Sequence, residues 1–352
     1  MTPEETKELQ AHLEAAAAIL FKNTPTEQLQ DFESLERSVR DHMLEQVSPQ
    51  IGNFFTRSAT GTSAGRKRQV QSCLGVLTVS QKQAKKLGLK VRVRLSPLLE
   101  KSCLLLSANV SYENAARDLA QITGISVSHS TQQRLVQRTQ WREAQATESV
   151  ETLSVDGGKV RLRTPKGQQS QWRDYKAVTL HDQCCGAWFQ ENQALVTWVN
   201  RQPLAAVVTC LGDGHDGVWN LMSGITPTEY RREILDWYHL VENLHKVGGS
   251  HQRLQQVETD LWQGRIDQAQ SAFEGWDAPQ AQNFLIYLHK HRHRLPDYQS
   301  YQQQGICIGS GAVESTIKRL GLRLKLSGAQ WNHQNVAQVL KQRCAYLNLA
   351  IS

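Results

Sequence analysis

No stretch of this 352-residue chain approaches 18 consecutive apolar residues, so no transmembrane helix is expected. The opening MTPEETKELQ lacks the basic-then-apolar plan of a secretory leader. Seven cysteines occur without a single C-x-x-C spacing, and Cys73 stands alone among basic residues, so no zinc site is expected. An odd number of scattered thiols also speaks against a disulfide framework and for a reducing compartment. A soluble cytoplasmic protein with no membrane contact is the expectation. Acid is scarce in one place. From Arg57 to Lys101 there are eleven basic residues and one acid, Glu100.

What is present is enough to build a core, since 39% of the residues are hydrophobic, which excludes a disordered tail. The formal charge of +7 is unevenly spread. Residues 1–50 carry ten acidic and four basic side chains and read as helical, in ELQAHLEAAAAILF and FESLERSVRDHMLEQV, which defines an N-terminal helical region over 1–56. Residues 57–145 read as a basic arm followed by a helix–turn–helix-like segment, a mostly helical DNA-binding region. Arg66, Lys67, Arg68, Lys85, Lys86, Arg92 and Arg94 are candidate phosphate contacts, although a run of charge is also what an ordinary solvated surface looks like. Ser96-Pro97 opens a helix. Ser111 then caps a helix with Ala115, Ala116, Leu119 and Ile122 inward, and Gly124 ends it. A second helix is expected from Ser130, with Ser130 and Gln133 as a capping box and Gln132, Arg134, Gln137 and Arg138 exposed. Arg134 and Arg138 are its candidate DNA contacts.

From residue 150 the pattern becomes α/β. Thr152–Val155 reads as a short strand ending at Asp156-Gly157-Gly158, and Lys159–Arg163 and Trp172–Leu180 continue an antiparallel meander around a Pro165-Lys166-Gly167 turn. Ala205–Leu211 is wholly apolar apart from Thr209 and reads as a buried central strand, ending at Gly212-Asp213-Gly214. Glu233–Leu235 runs into Asp236-Trp237-Tyr238-His239. The core is therefore expected in two pieces, 150–239 and 304–352, with a helical insertion over 240–303. In the final helix Val313, Ile317, Leu320 and Leu324 share one face, while Glu314, Lys318 and Lys325 form a stripe at its edge. That stripe suits a carboxylate aimed along a sheet with lysines near bound phosphates; it also suits a plain i,i+4 surface pair. Asp156, Asp213 and Glu314, all oxygen donors, suit magnesium. Asp216 rivals Asp213, which is preferred because it directly ends the apolar strand.

LSVDGGKV, CLGDGHDGVWN, ILDWYHLVENL and IGSGAVESTIKRLGLRLKLSGAQW, in this order, resemble the DDE-type transposases of bacterial insertion sequences, most closely the ISKra family among Mutator-like relatives. The resemblance implies an RNase H-like mixed sheet with a helical insertion. It also implies catalysis by Asp156, Asp213 and Glu314 on two magnesium ions, with manganese able to substitute. A structural or DNA-end role for Asp236 and His239 follows too. The expected activity is binding of terminal inverted repeats, cleavage at the element ends and joining of the 3′-hydroxyl to target DNA, by a homodimer or higher oligomer associated with the nucleoid. The alternatives are a catalytically inert DNA-binding remnant or repressor and, further off, a hydrolytic nuclease of the same fold. His289, His291 and His293 read as a basic helix end facing solvent or DNA. Cys184-Cys185 read as strand-end packing, and Trp262 and Trp276 as core of the insertion.

Overall fold

Helix α1 (Pro3–Lys22) starts at a complete capping box, Thr2 and Glu5 each accepting from the other's backbone amide, which satisfies two otherwise orphaned N–H groups. It buries none of its residues. α2 (Phe32–His42) is capped by Asp31, and α3 (Ser48–Thr60) stops where Gly61 turns left-handed. The computed structural model describes residues 1–351. They divide into two compact units, residues 1–107 with 112–135, and residues 108–111 with the chain from Val136 onward. No helix among the described residues is long and apolar enough to cross a membrane.

In the first unit the basic segment is not a plain arm. It folds as an antiparallel hairpin, β1 (Lys67–Ser72) and β2 (Gly75–Ser80), followed by α4 (Gln81–Lys86). Val70 and Val79 bury with Ala84, so alternation in this short stretch makes a small sheet where a basic arm was expected. Gly75 holds the turn at φ +87°, and a Cβ there would run into the Leu44 carbonyl. α5 (Pro97–Ser107) begins as expected at Ser96, whose hydroxyl accepts from Leu99 N at 3.3 Å. α6 (Tyr112–Thr123) buries Ala115 and Leu119 but leaves Ile122 exposed, against expectation. Gly124 ends it at φ +73°.

α7 (His129–Arg138) starts before Ser130. The capping hydroxyl is that of Ser128, which accepts from Thr131 N at 3.3 Å, so the expected Ser130–Gln133 capping box does not form. Gln132 is buried rather than exposed: its amide donates to Val127 O at 3.3 Å, which turns it into the turn between the helices.

The second unit is α/β. β3 (Val150–Leu162), β4 (Gln171–Leu180) and β5 (Cys184–Phe189) form the antiparallel meander, α8 (Asn192–Asn200) crosses over, and β6 (Leu204–Gly212) lies parallel to β3. α9 (Asp216–Met222) leads to β7 (Arg231–Leu235), parallel to β6. The order is β5-β4-β3-β6-β7, a mixed five-stranded sheet. Leu153, Val155, Val178, Leu180 and Leu211 are buried in one large core with residues of α8 and α9. Each such aliphatic side chain contributes about 1.5–3 kcal/mol by leaving water.

The expected short strand up to Val155 is instead the first half of β3. Asp156, Gly157 and Gly158 continue it without a turn, paired with Ala177, Lys176 and Tyr175. The glycines serve packing: a Cβ on Gly158 would lie 2.3 Å from the Tyr175 ring, and one on Gly157 2.7 Å from Lys176 Nζ. Cys184 and Cys185 pack at the start of β5, where the Asn348 amide bonds both backbone groups of Cys185 at 2.8 and 3.0 Å.

After β7 the regular elements among the described residues are all helices: α10 (Trp237–His245), α11 (His251–Trp262), α12 (Ile266–Ser271), α13 (Pro279–His291), α14 (Tyr298–Gln303), α15 (Gly311–Leu324) and α16 (His333–Leu347). The β alternation is therefore absent after His239, and α10–α14 with the turn after α12 bury Leu240, Leu254, Val257, Phe273, Phe284 and Tyr298 in the same core as the sheet. Trp237, Trp262 and Tyr298 cluster with ring centroids 4.8–6.4 Å apart. Trp276 stacks on Phe273 at 5.8 Å, so both insertion tryptophans are packing residues. α15 lies against β3 and β4, and α16 against β5.

Candidate active site

Strand register brings three aspartates to one level. Ser154 of β3 lies beside Leu211 of β6, and Gly212 of β6 beside Leu235 of β7. Two residues beyond the first pairing stand Asp156 and Asp213, and one residue beyond the second stands Asp236. The three parallel strands therefore carry a row of carboxylates along one side of the sheet. Asp156 shares a strand face with Ser154, which pairs with Thr179; the Thr179 hydroxyl donates to Thr316 of α15 at 3.0 Å. Asp156 thus lies on the face that α15 covers.

Burial pushes the Asp156 carboxyl above the ordinary carboxylate value. The Gly157 amide opposes that rise, the charge on Asp213 adds to it, and His239 and Lys176 oppose it more weakly. Asp213 sits where β6 ends, as expected, and its carboxylate accepts from His215 N at 3.0 Å.

Asp236 is buried and plays a different part. It caps α10, with Oδ1 accepting from His239 N at 2.7 Å and from His239 Nδ1 at 2.9 Å, while its second oxygen accepts from Ser310 N, the residue that caps α15. Burial alone would raise this carboxyl, but the bonds from His239 and Ser310 hold it below its ordinary value. His239 is correspondingly pushed up, first by its bond to Asp236 and, against desolvation, by the fields of Asp236, Asp213 and Asp156. Asp236 therefore ties the strand level of the aspartates to the N-terminus of the helix that carries Glu314.

Glu314 itself stands in the first turn of α15, half-exposed, with Oε1 2.7 Å from Lys318 Nζ. The i,i+4 surface pair is formed. Val313, Leu320 and Leu324 are buried as expected, Ile317 only partly, and Lys325 lies exposed at the helix end. Arg323, which the sequence pattern placed nowhere, is fully buried over the Trp331 ring at 4.8 Å. Asp216 turns away from the aspartate row and pairs with Lys290 at 2.5 Å, which holds its carboxyl low.

The donor set fits a hard divalent cation in part. The charge of Asp213 adds to the cost of ionising Asp156, a cost that a cation relieves, but Glu314 is engaged by Lys318. Among the described residues no three His, Cys, Asp or Glu side chains are gathered as a metal-holding group.

The remaining candidate DNA contacts precede the sheet in sequence. Arg66, Lys67, Lys85, Arg92 and Arg94 are exposed in the first unit. Arg68 donates to Lys90 O at 3.0 Å and Lys86 to Thr60 O at 2.6 Å, so these two also hold the fold. Arg134 is exposed but folded back on its own helix, donating to Ser130 O at 3.1 Å, and Arg138 is exposed. His291 departs from the expected solvent-facing helix end: it is 1% exposed, beside Trp219 and Arg294, and desolvation first and then the charges of Arg294 and Lys290 push its imidazole down to about 4. His289 and His293 are exposed.

Sequence reasoning missed Ser310, Tyr287 and Lys176. Only Ser310 carried a local signal, as a serine just ahead of the helix of Glu314; the other two reach the site through strand and helix register. The chain matches no protein-family model, and no curated protein matches it.

Proposed function

We propose that this chain is a DDE-type DNA transposase of the ISKra kind, with an RNase H-like catalytic core interrupted by a helical insertion and preceded by a DNA-binding region. One observation carries the reading: Asp156 of β3 and Asp213, the residue just beyond the adjacent parallel strand β6, stand at one level in a sheet ordered β5-β4-β3-β6-β7, and Asp156 lies on the face where the helix of Glu314 packs. Asp156, Asp213 and Glu314 would hold two magnesium ions, for which manganese would serve; such a pair activates an attacking oxygen and stabilises a leaving one. Phosphoryl transfer then asks mainly for positioned charge. Lys318 and Lys325, on the stripe of Glu314, would hold DNA phosphates near the carboxylates. Arg66, Lys67, Arg68, Lys85, Lys86, Arg92 and Arg94 would grip the terminal repeat, and Arg134 and Arg138 of α7 would read it. Two element ends must be held together, which calls for a homodimer or larger assembly on DNA.

The test uses the full chain and a duplex carrying the inverted repeat that flanks its gene. With magnesium or manganese the parent should nick the repeat end and join it to a second duplex. Asp156→Asn, Asp213→Asn and Glu314→Gln should each abolish both steps and leave repeat binding nearly intact. The alternative, an inert DNA-binding remnant or repressor, is favoured by the engagement of Glu314 with Lys318. It prevails if the parent binds the repeat and cleaves with neither metal.

A further inference from the structure

We infer that helix α13 of the insertion is the positioning element for the Asp213 carboxylate, acting through the side chain of Tyr287; this rests on the proposed catalytic part of Asp213. β6 ends at Gly212, and residues 213–215 form a turn into α9 held by two bonds. Asp213 Oδ1 accepts from His215 N, and His215 Nδ1 accepts from Gly217 N, both at 3.0 Å. Those bonds shape the turn but do not fix its direction.

One face of α13 does. The Tyr287 hydroxyl donates to the Asp213 carbonyl at 3.4 Å. Its ring lies on Gly214, which sits at φ +89°, and a Cβ on that glycine would be 2.7 Å from the ring. One turn further on, buried His291 stacks edge-on to Tyr287 with centroids 4.9 Å apart. The exposed Lys290–Asp216 pair closes the rim and contributes little by itself.

Residues 287, 290 and 291 are neighbours on one helical face, so this is a single surface applied to a single turn. Gly214 has no side chain because the phenol ring occupies that space. The insertion is then a clamp on the second carboxylate, and a shift of α13 moves Asp213.

Hydrogen exchange across residues 213–217 of the full chain tests this without reference to activity. Tyr287→Leu should speed exchange there by about tenfold or more, as loss of a buried bond with its packing implies, while β3 keeps the parent's protection. Tyr287→Phe, which keeps the ring, should fall between Leu and the parent. If the parent cleaves DNA, Tyr287→Leu should raise the manganese concentration for half-maximal cleavage and lower kcat at an unchanged KM for the repeat; loss of folded protein alone would not move the manganese requirement. Unchanged exchange at 213–217 in folded Tyr287→Leu overturns the inference, as does faster exchange with an unchanged manganese requirement in a cleaving protein. Should Tyr287→Leu not fold, Tyr287→Phe decides: exchange equal to the parent's at 213–217 overturns the inference, and faster exchange confined to that turn supports it. Faster exchange in a parent background that never cleaves supports the clamp while the catalytic reading of Asp213 fails.

Discussion

Replacing Asp236 by Ala should destabilise the second unit severely, and the size follows from its bonds. The carboxylate is 1% exposed and accepts from two backbone amides, His239 N and Ser310 N, and from the His239 ring. Alanine leaves both amides without that acceptor, at about 1–3 kcal/mol for each buried unsatisfied group. The ring bond adds little, because the His239 side chain is 31% exposed and water can replace it. A total of roughly 3–5 kcal/mol results, the range for removing one partner of a buried charged network. Asparagine keeps an oxygen for the α10 cap but turns an N–H toward Ser310 N, donor against donor, so Asp236→Asn should recover only about half of the loss. All nine tryptophans lie between Trp141 and Trp331, in the second unit, so urea unfolding followed by tryptophan fluorescence reports that unit alone. The midpoint should fall by roughly 1–2 M for Asp236→Ala. A fall under about 0.3 M, worth less than ~1 kcal/mol, would mean that Asp236 does not tie α10 and α15 together.

Neutralising Arg66 and Lys67 should weaken binding to repeat and random DNA alike and flatten the salt dependence by a slope of up to about 2, measured by anisotropy across a salt series; an unchanged slope removes these side chains from the phosphate contacts. Adding Arg68 to the set should also loosen the hairpin, since its guanidinium holds Lys90 O. The His239–Asp236 pair sets a pH window for stability in the metal-free protein. His239 is raised above 6.5, so its contribution is complete below that value and is lost as pH rises through the raised pKa. Asp236 is lowered from 3.8, so its contribution is complete above that value and is lost as pH falls through the lowered pKa. Urea midpoints of the parent relative to Asp236→Asn should therefore differ most between about pH 4 and 6.5 and less at alkaline pH; a difference that grows from neutral to alkaline pH contradicts the pairing.

Local pattern was sufficient wherever neighbouring residues decide the outcome. The apolar run before Asp213, the alternation of Trp172–Leu180, the left-handed stop at Gly124 and the helical stretch after His239 are short-range properties, and the structure has each of them. The Val313, Leu320 and Leu324 face of α15 follows from helical period alone. Tertiary contact decided the rest. Asp156-Gly157-Gly158 has the composition of a turn, yet it continues a strand because Tyr175 and Lys176 of β4 occupy the space that side chains would take. Gln132 has the character of a surface residue, yet it is buried because the backbone of the preceding turn offers it an acceptor. The row formed by Asp156, Asp213 and Asp236 is written in three separate segments, and only the parallel register of β3, β6 and β7 puts them side by side. Periodicity places a residue on a face of its own element; which faces meet, and at what level, is settled by the contacts between elements.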